Sequence, residues 1–183
     1  MTISVVDYAI ARLAKAGVKD IFGIPGDFAF PWGDAVAKNK DMNWRGVSNE
    51  LNGAYAADGY ARINGVGALC TTYAVGEMSA LAGIMGAKAE KVPVFHLTGM
   101  PSMRLQKQPH KILHHTLGDG VYQTFNNIAA QSASAHAVLT PENCRYEMER
   151  VISTCLAKSE PGYFIVAQDY ADMPVTGPEV PEY

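Results

Sequence analysis

Two neighbouring histidines and two acidic residues are the groups in this sequence best suited to proton chemistry. His114 and His115 stand side by side in the stretch KILHHTLGDG, and histidine titrates close to physiological pH. Asp27 follows the turn GIPG, and Glu50 follows the segment WRGVSN. A carboxyl group acts as an acid or a base when its surroundings tune its protonation. We therefore predict a proton-handling site if the fold brings these residues together.

The same residues also have simpler structural explanations. Glu50 starts a predicted helix, where the helix dipole favours a carboxylate, and aspartates such as Asp27 are common in turns. Two adjacent histidines also occur on protein surfaces without any function. The spacing of these residues leaves both interpretations open.

A metal site is the second chemistry that this region suggests. His110 and His114 would share a face if the segment were helical, but Pro109 and the nearby glycines oppose a long helix. Zinc sites need several converging Cys, His or carboxylate ligands, and the sequence offers no obvious third ligand. We predict no metal ligands in this chain.

The triplet Gly118-Asp119-Gly120 resembles the Gly-Asp-Gly that opens the diphosphate and metal motif of thiamine-diphosphate enzymes. That motif follows a buried strand and precedes a metal-binding asparagine. Here a loop-like segment precedes the triplet, and the later candidate, Asn143, starts a predicted helix. We therefore treat the match as a coincidence. The glycine-rich nucleotide motifs and the GxSxG elbow are absent from the sequence.

Length and composition describe an ordinary globular domain. The 183 residues suffice for one domain with a sizeable core, and 48% of them are hydrophobic. A net charge of -3 without a basic cluster argues against nucleic-acid binding, and no apolar run is long enough to predict a membrane span. Three cysteines without CxxC spacing suggest reduced thiols in a cytoplasmic protein.

Helix-like and strand-like segments alternate along the chain, which predicts an α/β fold with a mostly parallel six-stranded sheet and helices on both faces. The predicted strands are DIFG, WRGVS, GALCTTYAV, PVFHLTG, AHAVLT and GYFIVAQ. Ligands of such sheets bind at the carboxyl ends of the strands, where GIPGDF, SNE, TTYAVGE and the irregular residues 100–120 lie. We assign residues 1–170 to this domain and the Pro- and acid-rich residues 171–183 to a linker-like tail.

Five sequence blocks together point to one family. In chain order they are GIPGDF, SNELNGAYAADGYAR, ALCTTYAVGEMSALAGIMGAKAE, PVFHLTGMPS and LHHTLGDG. Over nearly the whole chain they resemble the N-terminal pyrimidine-binding (PYR) domain of thiamine-diphosphate-dependent 2-oxo acid decarboxylases. This group includes the pyruvate, indolepyruvate and phenylpyruvate decarboxylases.

The resemblance implies roles for particular residues. Glu50 matches the family glutamate that contacts the pyrimidine ring of the cofactor and promotes its imino tautomer. Asp27, His114 and His115 match polar groups that handle protons around the substrate, so we expect these three residues and Glu50 to be catalytic. The cofactor-binding positions that the resemblance implies are Glu50, Thr72, Val75, Gly76 and Glu77.

The resemblance also implies a reaction, in which a 2-oxo acid gives an aldehyde and carbon dioxide with thiamine diphosphate as the electron sink. Full-length members carry a central domain and a C-terminal domain that holds the diphosphate, Mg²⁺ and a second catalytic glutamate. The chain would then be one half of an active site, inactive alone. The diphosphate-binding domain of a partner subunit would complete it in a homodimer or homotetramer, and only that missing domain would bind Mg²⁺.

Other interpretations remain open at this level. A carboligase of the acetohydroxyacid synthase type uses the same cofactor, although such enzymes generally lack the histidine pair. In a non-catalytic α/β assembly module, Glu50 and the histidines would be merely structural. The aromatic stretch FAFPWGD either shapes a pocket for a larger 2-oxo acid or packs in the core. Geometry separates these functions, because a half-site requires Glu50, Asp27 and the histidine loop at one edge of the sheet.

Overall fold

The structure is a computed structural model that describes residues 3–108 and 112–183. Its strands are β1 (Asp20–Gly23), β2 (Asn43–Gly46), β3 (Gly67–Thr71), β4 (Val94–Met100), β5 (Ala135–Leu139) and β6 (Gly162–Ala167). They form a six-stranded sheet in the order β2-β1-β3-β4-β6-β5, and every pairing is parallel. The predicted α/β fold is confirmed.

Local sequence signals determine where several helices begin and end. Ser4 Oγ accepts a hydrogen bond from the Asp7 N–H at 3.2 Å and caps the first helix. Gly65, with a φ of 91°, ends the long third helix. The helices are α1 (Val5–Lys15), α2 (Phe30–Lys38), α3 (Glu50–Asn64), α4 (Val75–Ala89), α5 (Met103–Gln106), α6 (Thr124–Ala130), α7 (Cys144–Lys158) and α8 (Gln168–Ala171), and a 3₁₀ turn spans Asp27–Ala29.

Helices cover both faces of the sheet, as predicted. On one face α1, α2 and α7 contribute Ile10, Trp32 and Val151 to the largest apolar core. On the other face α3 and α4 pack through Ala54 and Ile84, and α6 adds a smaller cluster. Because β3, β4 and β6 are buried along their whole length, their sequences are almost continuously apolar. No helix in the described part of the chain has the length and apolar content that a membrane crossing requires.

The last residues of the chain pack against the domain. Beyond Ala171 no helix or strand element follows, which agrees with the irregular tail that composition predicts. The Val175 N–H donates to the Ile3 carbonyl oxygen at 3.0 Å, and the Tyr183 N–H donates to Glu149 Oε2 at 2.7 Å. The tail therefore lies against α1 and α7.

The three cysteines are free, buried thiols. Cys70 lies in the central strand β3, and Cys144 and Cys155 lie in α7. Burial raises the pKa of each thiol, that of Cys144 to about 12. The thiolate, which is the reactive form, is therefore disfavoured at neutral pH.

Several parts of the structure differ from the predicted elements, among them the short helices α5 and α8, where the sequence pattern predicted no helix. The strand predicted over GALCTTYAV ends at Thr71, because Ala74 takes a φ of 57° and turns the backbone away from the sheet before α4 begins. Helix α6 occupies residues 124–130, for which the sequence pattern predicted no element.

Candidate functional site

Loops at the carboxyl ends of β1, β2 and β3 bring three of the predicted residues, Asp27, Glu50 and Thr72, to one edge of the sheet. A Cβ added to Gly26 would lie 2.4 Å from Thr72 Cβ. One added to Gly76 would lie 3.2 Å from both Thr72 Cγ2 and Glu50 Oε1. The two glycines therefore let the loops touch. We call the surface that these loops share at this edge, which includes Gly26, Glu50, Thr72 and Gly76, the cleft.

Glu50 is the first residue of α3 and is half-buried. The helix start is capped by Asn49, whose Oδ1 accepts from the Asn52 N–H at 2.9 Å, so the cap does not use the Glu50 carboxylate. No residue within 3–108 or 112–183 forms a hydrogen bond or ion pair with that carboxylate. Glu50 faces Gly76 and lies outside the packed core, so the geometry that would exclude a half-site does not occur.

Thr72 and Val75 line the cleft between Glu50 and Asp27. The Thr72 side chain is buried, and in the described part of the chain its Oγ1 has no hydrogen-bond partner. A buried hydroxyl costs free energy unless a ligand or water satisfies it. Val75, the first residue of α4, is 50% exposed. The cleft therefore offers one unpartnered polar group and one apolar side chain beside the Glu50 carboxylate.

Asp27, His114 and His115 form a second group, which we call the histidine cluster. His114 Nε2 lies 2.7 Å from Asp27 Oδ2, and the two side chains are 53% and 43% exposed. The 3₁₀ turn presents Asp27, and Gln168 Nε2 fixes that turn by donating to the Asp27 backbone oxygen at 2.8 Å. His115 has a φ of 62°. The structure thus joins residues far apart in sequence into one exposed hydrogen-bonded pair with a neighbouring imidazole.

The Phe28 ring packs against both histidines of the histidine cluster. Its ring stacks on His114 with centroids 5.0 Å apart and meets the edge of His115 at 6.4 Å. In the same aromatic stretch, Trp32 is fully buried and donates its Nε1–H to a carbonyl of β4, while Phe30 is 54% exposed. Phe28 and Trp32 therefore pack, and Phe30 is the aromatic residue of this stretch that faces solvent.

The histidine cluster also places possible metal ligands together. One ligand atom from each of its side chains lies within 4.8 Å of the others, because the structure adds Asp27 as a third ligand that the sequence did not reveal. His110, the other candidate ligand considered, lies outside the described residues. His114 and Asp27 already contact each other directly at 2.7 Å without an ion. The absence of metal ligands stays a prediction.

The Gly-Asp-Gly triplet forms a local turn. Gly118 and Gly120 have φ values of 72° and 78°, and Asp119 Oδ1 accepts from the Val121 N–H at 2.9 Å. Asn143 Oδ1 accepts a backbone N–H of the loop before α7 at 2.8 Å. These polar groups bond within their own segments, which agrees with treating the motif match as a coincidence.

Glu77 lies beneath the turn that joins β3 to α4. Its side chain has no solvent exposure, and its carboxylate accepts from the Ala74 N–H at 2.7 Å, Tyr163 OH at 2.6 Å and Asn126 Nδ2 at 3.1 Å. Burial raises the pKa of Glu77, and the three donors oppose that shift. The carboxylate is fully engaged on the inner side of the turn, so a direct side-chain contact between Glu77 and a cofactor does not fit this geometry.

Comparisons with known proteins identify the family of the chain. The family model described as "Thiamine pyrophosphate enzyme, N-terminal TPP binding domain" matches residues 3–138. A protein named Alpha-keto-acid decarboxylase from Mycobacterium avium (strain 104) is 42% identical over 179 residues, which are 97% of this chain and 32% of the relative. Proteins of the same name from Mycobacterium leprae (strain TN) and Mycobacterium tuberculosis (strain ATCC 25618 / H37Rv) are each 41% identical, over 95% and 96% of this chain and 30% and 31% of the relative. The chain thus spans about a third of the length of these relatives.

Proposed function

The chain belongs to the thiamine pyrophosphate enzymes, as their N-terminal TPP binding domain, and on that premise we propose that it forms the pyrimidine-binding half of a 2-oxo acid decarboxylase active site. The reaction converts a 2-oxo acid into an aldehyde and carbon dioxide. The observation that carries the proposal is the position of Glu50. Its carboxylate, which has no partner among the described residues, shares one sheet edge with the hydrogen-bonded pair of Asp27 and His114.

The cleft fits the aminopyrimidine end of thiamine diphosphate in three respects. Within residues 3–108 and 112–183, neither the Glu50 carboxyl group nor the buried Thr72 hydroxyl has a hydrogen-bond partner. Gly76 lacks the Cβ that would crowd the Glu50 carboxylate. When bound, thiamine diphosphate supplies the electron sink of the reaction. Glu50 holds and exchanges a proton at a ring nitrogen, a task for a carboxyl group whose protonation a closed site can tune.

The histidine cluster manages protons on the substrate side of the cleft. The Asp27 carboxylate orients the His114 ring through the 2.7 Å contact, and stacking on Phe28 limits its rotation. An imidazole held in this way can act as an acid or a base at the reacting carbon. The two neighbouring histidines, His114 and His115, favour decarboxylation over the carboligase alternative, because carboligases of that type generally lack them.

The remainder of the site comes from other parts of the complete protein. We propose that a diphosphate-binding domain of a partner subunit, with Mg²⁺, covers the cleft in a cytoplasmic homodimer or homotetramer, and that residues 1–170 form the domain it covers. The loop beside the histidine cluster exposes Ile112, Leu117 and Val121 by 86%, 60% and 49%, an apolar surface suited to such a cover. Pyruvate, indolepyruvate and phenylpyruvate are the first substrates to test.

Glu50→Gln tests the proposed function directly. The complete protein with thiamine diphosphate and Mg²⁺ should release carbon dioxide from a 2-oxo acid, and the variant should be at least about 100-fold slower because the amide cannot exchange the required proton. Glu90→Gln, at an exposed glutamate after α4, is the matched control and should behave as the wild type. A Glu50→Gln enzyme of normal activity would remove Glu50 from the mechanism, and a 2-hydroxyketone as the main product would favour the carboligase.

A further inference from the structure

We propose that Glu77 is a positioning residue, whose buried carboxylate holds the Ala74 turn and thereby sets where Val75 and Gly76 stand against Glu50. The inference rests on the proposed function, since it concerns the same cleft. It gives Glu77 a role through the backbone and without a contact to the cofactor.

Ala74 is the strained point of the cleft wall. Its φ of 57° and ψ of -85° lie in a region that residues with a Cβ rarely adopt. Such a conformation is strained and persists only where the surroundings hold it. The residue ends the β3 loop and directly precedes α4, so its conformation fixes the direction in which the helix leaves the sheet.

The Glu77 carboxylate supplies the restraint that this turn needs. Glu77 Oε2 accepts from the Ala74 N–H at 2.7 Å, as in one half of a capping box. Alanine has no side-chain acceptor to form the other half. Capping residues ordinarily lie at the surface, but this carboxylate has no solvent exposure, so its bonds are not weakened by competition with water.

Two other elements anchor the same carboxylate. Tyr163 in β6 donates its hydroxyl at 2.6 Å, and Asn126 in α6 donates its amide at 3.1 Å and 3.3 Å to the two oxygens. The Asn126 amide also donates to Tyr163 OH, while its Oδ1 is buried with no partner among the described residues. Asn126 therefore serves as a donor to this group at the cost of an unsatisfied acceptor. The turn is tied through Glu77 to the sheet and to α6.

The consequence for the cleft follows from how little space separates Gly76 and Glu50. A Cβ on Gly76 would lie 3.2 Å from Glu50 Oε1, so a small movement of the turn changes the room left for a ligand beside that carboxylate. Release of Ala74 would let Val75 and Gly76 shift together. We expect a loss of cofactor affinity although no group that touches the cofactor has changed.

A double-mutant cycle on the complete protein tests the proposal. Thiamine diphosphate affinity is measured by calorimetry with Mg²⁺ for the wild type, Glu77→Gln, Ala74→Gly and the double variant. Glu77→Gln should weaken binding at least about tenfold. Glycine adopts the strained conformation without penalty, so Ala74→Gly should restore at least half of that loss on a logarithmic scale. Tyr163→Phe keeps the Glu77 carboxyl group and removes one of its donors, so it should also weaken thiamine diphosphate binding, but less than Glu77→Gln does. It replaces Glu77→Gln in the test if that variant does not fold.

The matched control is Glu149→Gln, at a buried glutamate that pairs with Arg12 on the far side of the sheet. It should lower the thermal midpoint without changing cofactor affinity. The proposal is overturned if Glu77→Gln behaves as this control does, or if Ala74→Gly restores nothing.

Hydrogen exchange at the Ala74 amide needs no cofactor and separates this idea from the proposed function. Exchange should rise at least about tenfold in Glu77→Gln relative to Glu149→Gln, because the variant loosens the acceptor of that amide. Unchanged exchange contradicts the positioning role. A wild-type protein that binds no thiamine diphosphate contradicts the proposed function, whatever the exchange shows.

Discussion

The histidine cluster and the group around Glu77 both contain a carboxylate, but the histidine cluster is exposed to solvent and Glu77 is buried. Asp27 and His114 are 43% and 53% exposed and share one hydrogen bond. Glu77 has no exposure and accepts from three residues. In the proposed function Asp27 and His114 exchange protons with a substrate, and both side chains are open to solvent. A carboxylate that only holds the backbone binds its donors most strongly when it is shielded from water and accepts hydrogen bonds from several of them.

The largest expected difference between the two regions is the effect of Asp27→Asn. The variant removes the charge that orients His114, so decarboxylation by the complete protein should fall about 100-fold. Unfolding free energy should stay within about 0.5 kcal/mol of the wild type, because the side chain is exposed. Steady-state kinetics and urea unfolding measure the two effects, and Asp119→Asn in the nearby exposed turn is the control. A large loss of stability would mean that the cluster is structural after all.

Gly26→Ala should disturb the open region through packing alone. The new Cβ would stand 2.4 Å from Thr72 Cβ, so the loop that carries Asp27 must move, and a displacement of about 1 Å can cost up to 100-fold in rate. We expect at least about a tenfold loss of activity. Gly33→Ala, where nothing lies within 4 Å of the new atom, should leave activity unchanged and favour its helix slightly. Equal activity in the two variants would show that the loop position does not matter.

Tyr163→Phe should lower stability more than activity, in contrast to Asp27→Asn. The variant removes a donor from the sealed carboxylate at 2.6 Å and should lower the unfolding free energy by about 1–3 kcal/mol. Activity at saturating cofactor should fall much less than in Asp27→Asn. Urea unfolding beside steady-state kinetics gives the comparison. A catalytic collapse with normal stability would place Tyr163 in the chemistry and erase the distinction between the regions.

The smallest expected effect concerns how the free energy of unfolding depends on pH through His96, which lies in the buried region around Glu77 and Tyr163. His96 is buried beside Thr71 and the Tyr163 ring, and burial lowers its pKa from 6.5 to about 3. Because the unfolded chain binds this proton more readily, the stability that neutral His96 contributes is lost as the pH falls below 6.5. The loss between pH 7 and pH 6 is about 0.7 kcal/mol from this residue. Urea unfolding should show a shallower pH dependence in His96→Asn, while His136→Asn, at an exposed histidine, should keep the wild-type slope.

The fold could be predicted because its signals are local. Alternating apolar segments, the Ser4 cap and the Gly65 stop each act within a few residues of the chain. The open part of the site could also be located, since residues that follow parallel strands must share one edge. The contact between His114 and Asp27 spans 87 positions, so the sequence suggested the residues and left their pairing open.

The sealed part could not be predicted from the sequence in this way. Glu77 depends on Asn126, 49 positions away, and on Tyr163, 86 positions away. Asn126 lies in α6, a short helix that the pattern did not predict. The family resemblance implied that Glu77 binds the cofactor, and nothing in the sequence indicated that its side chain is buried. Its burial results from the turn at Ala74, a conformation for which an alanine gives no sequence signal.

The three buried cysteines can report where the molecule unfolds first. A thiol reagent reaches a sulfur only after the structure around it opens, and Cys70 lies in the central strand while Cys144 and Cys155 lie in α7. Labelling rates followed by mass spectrometry would therefore time the opening of β3 and of α7 separately, without any engineered cysteine.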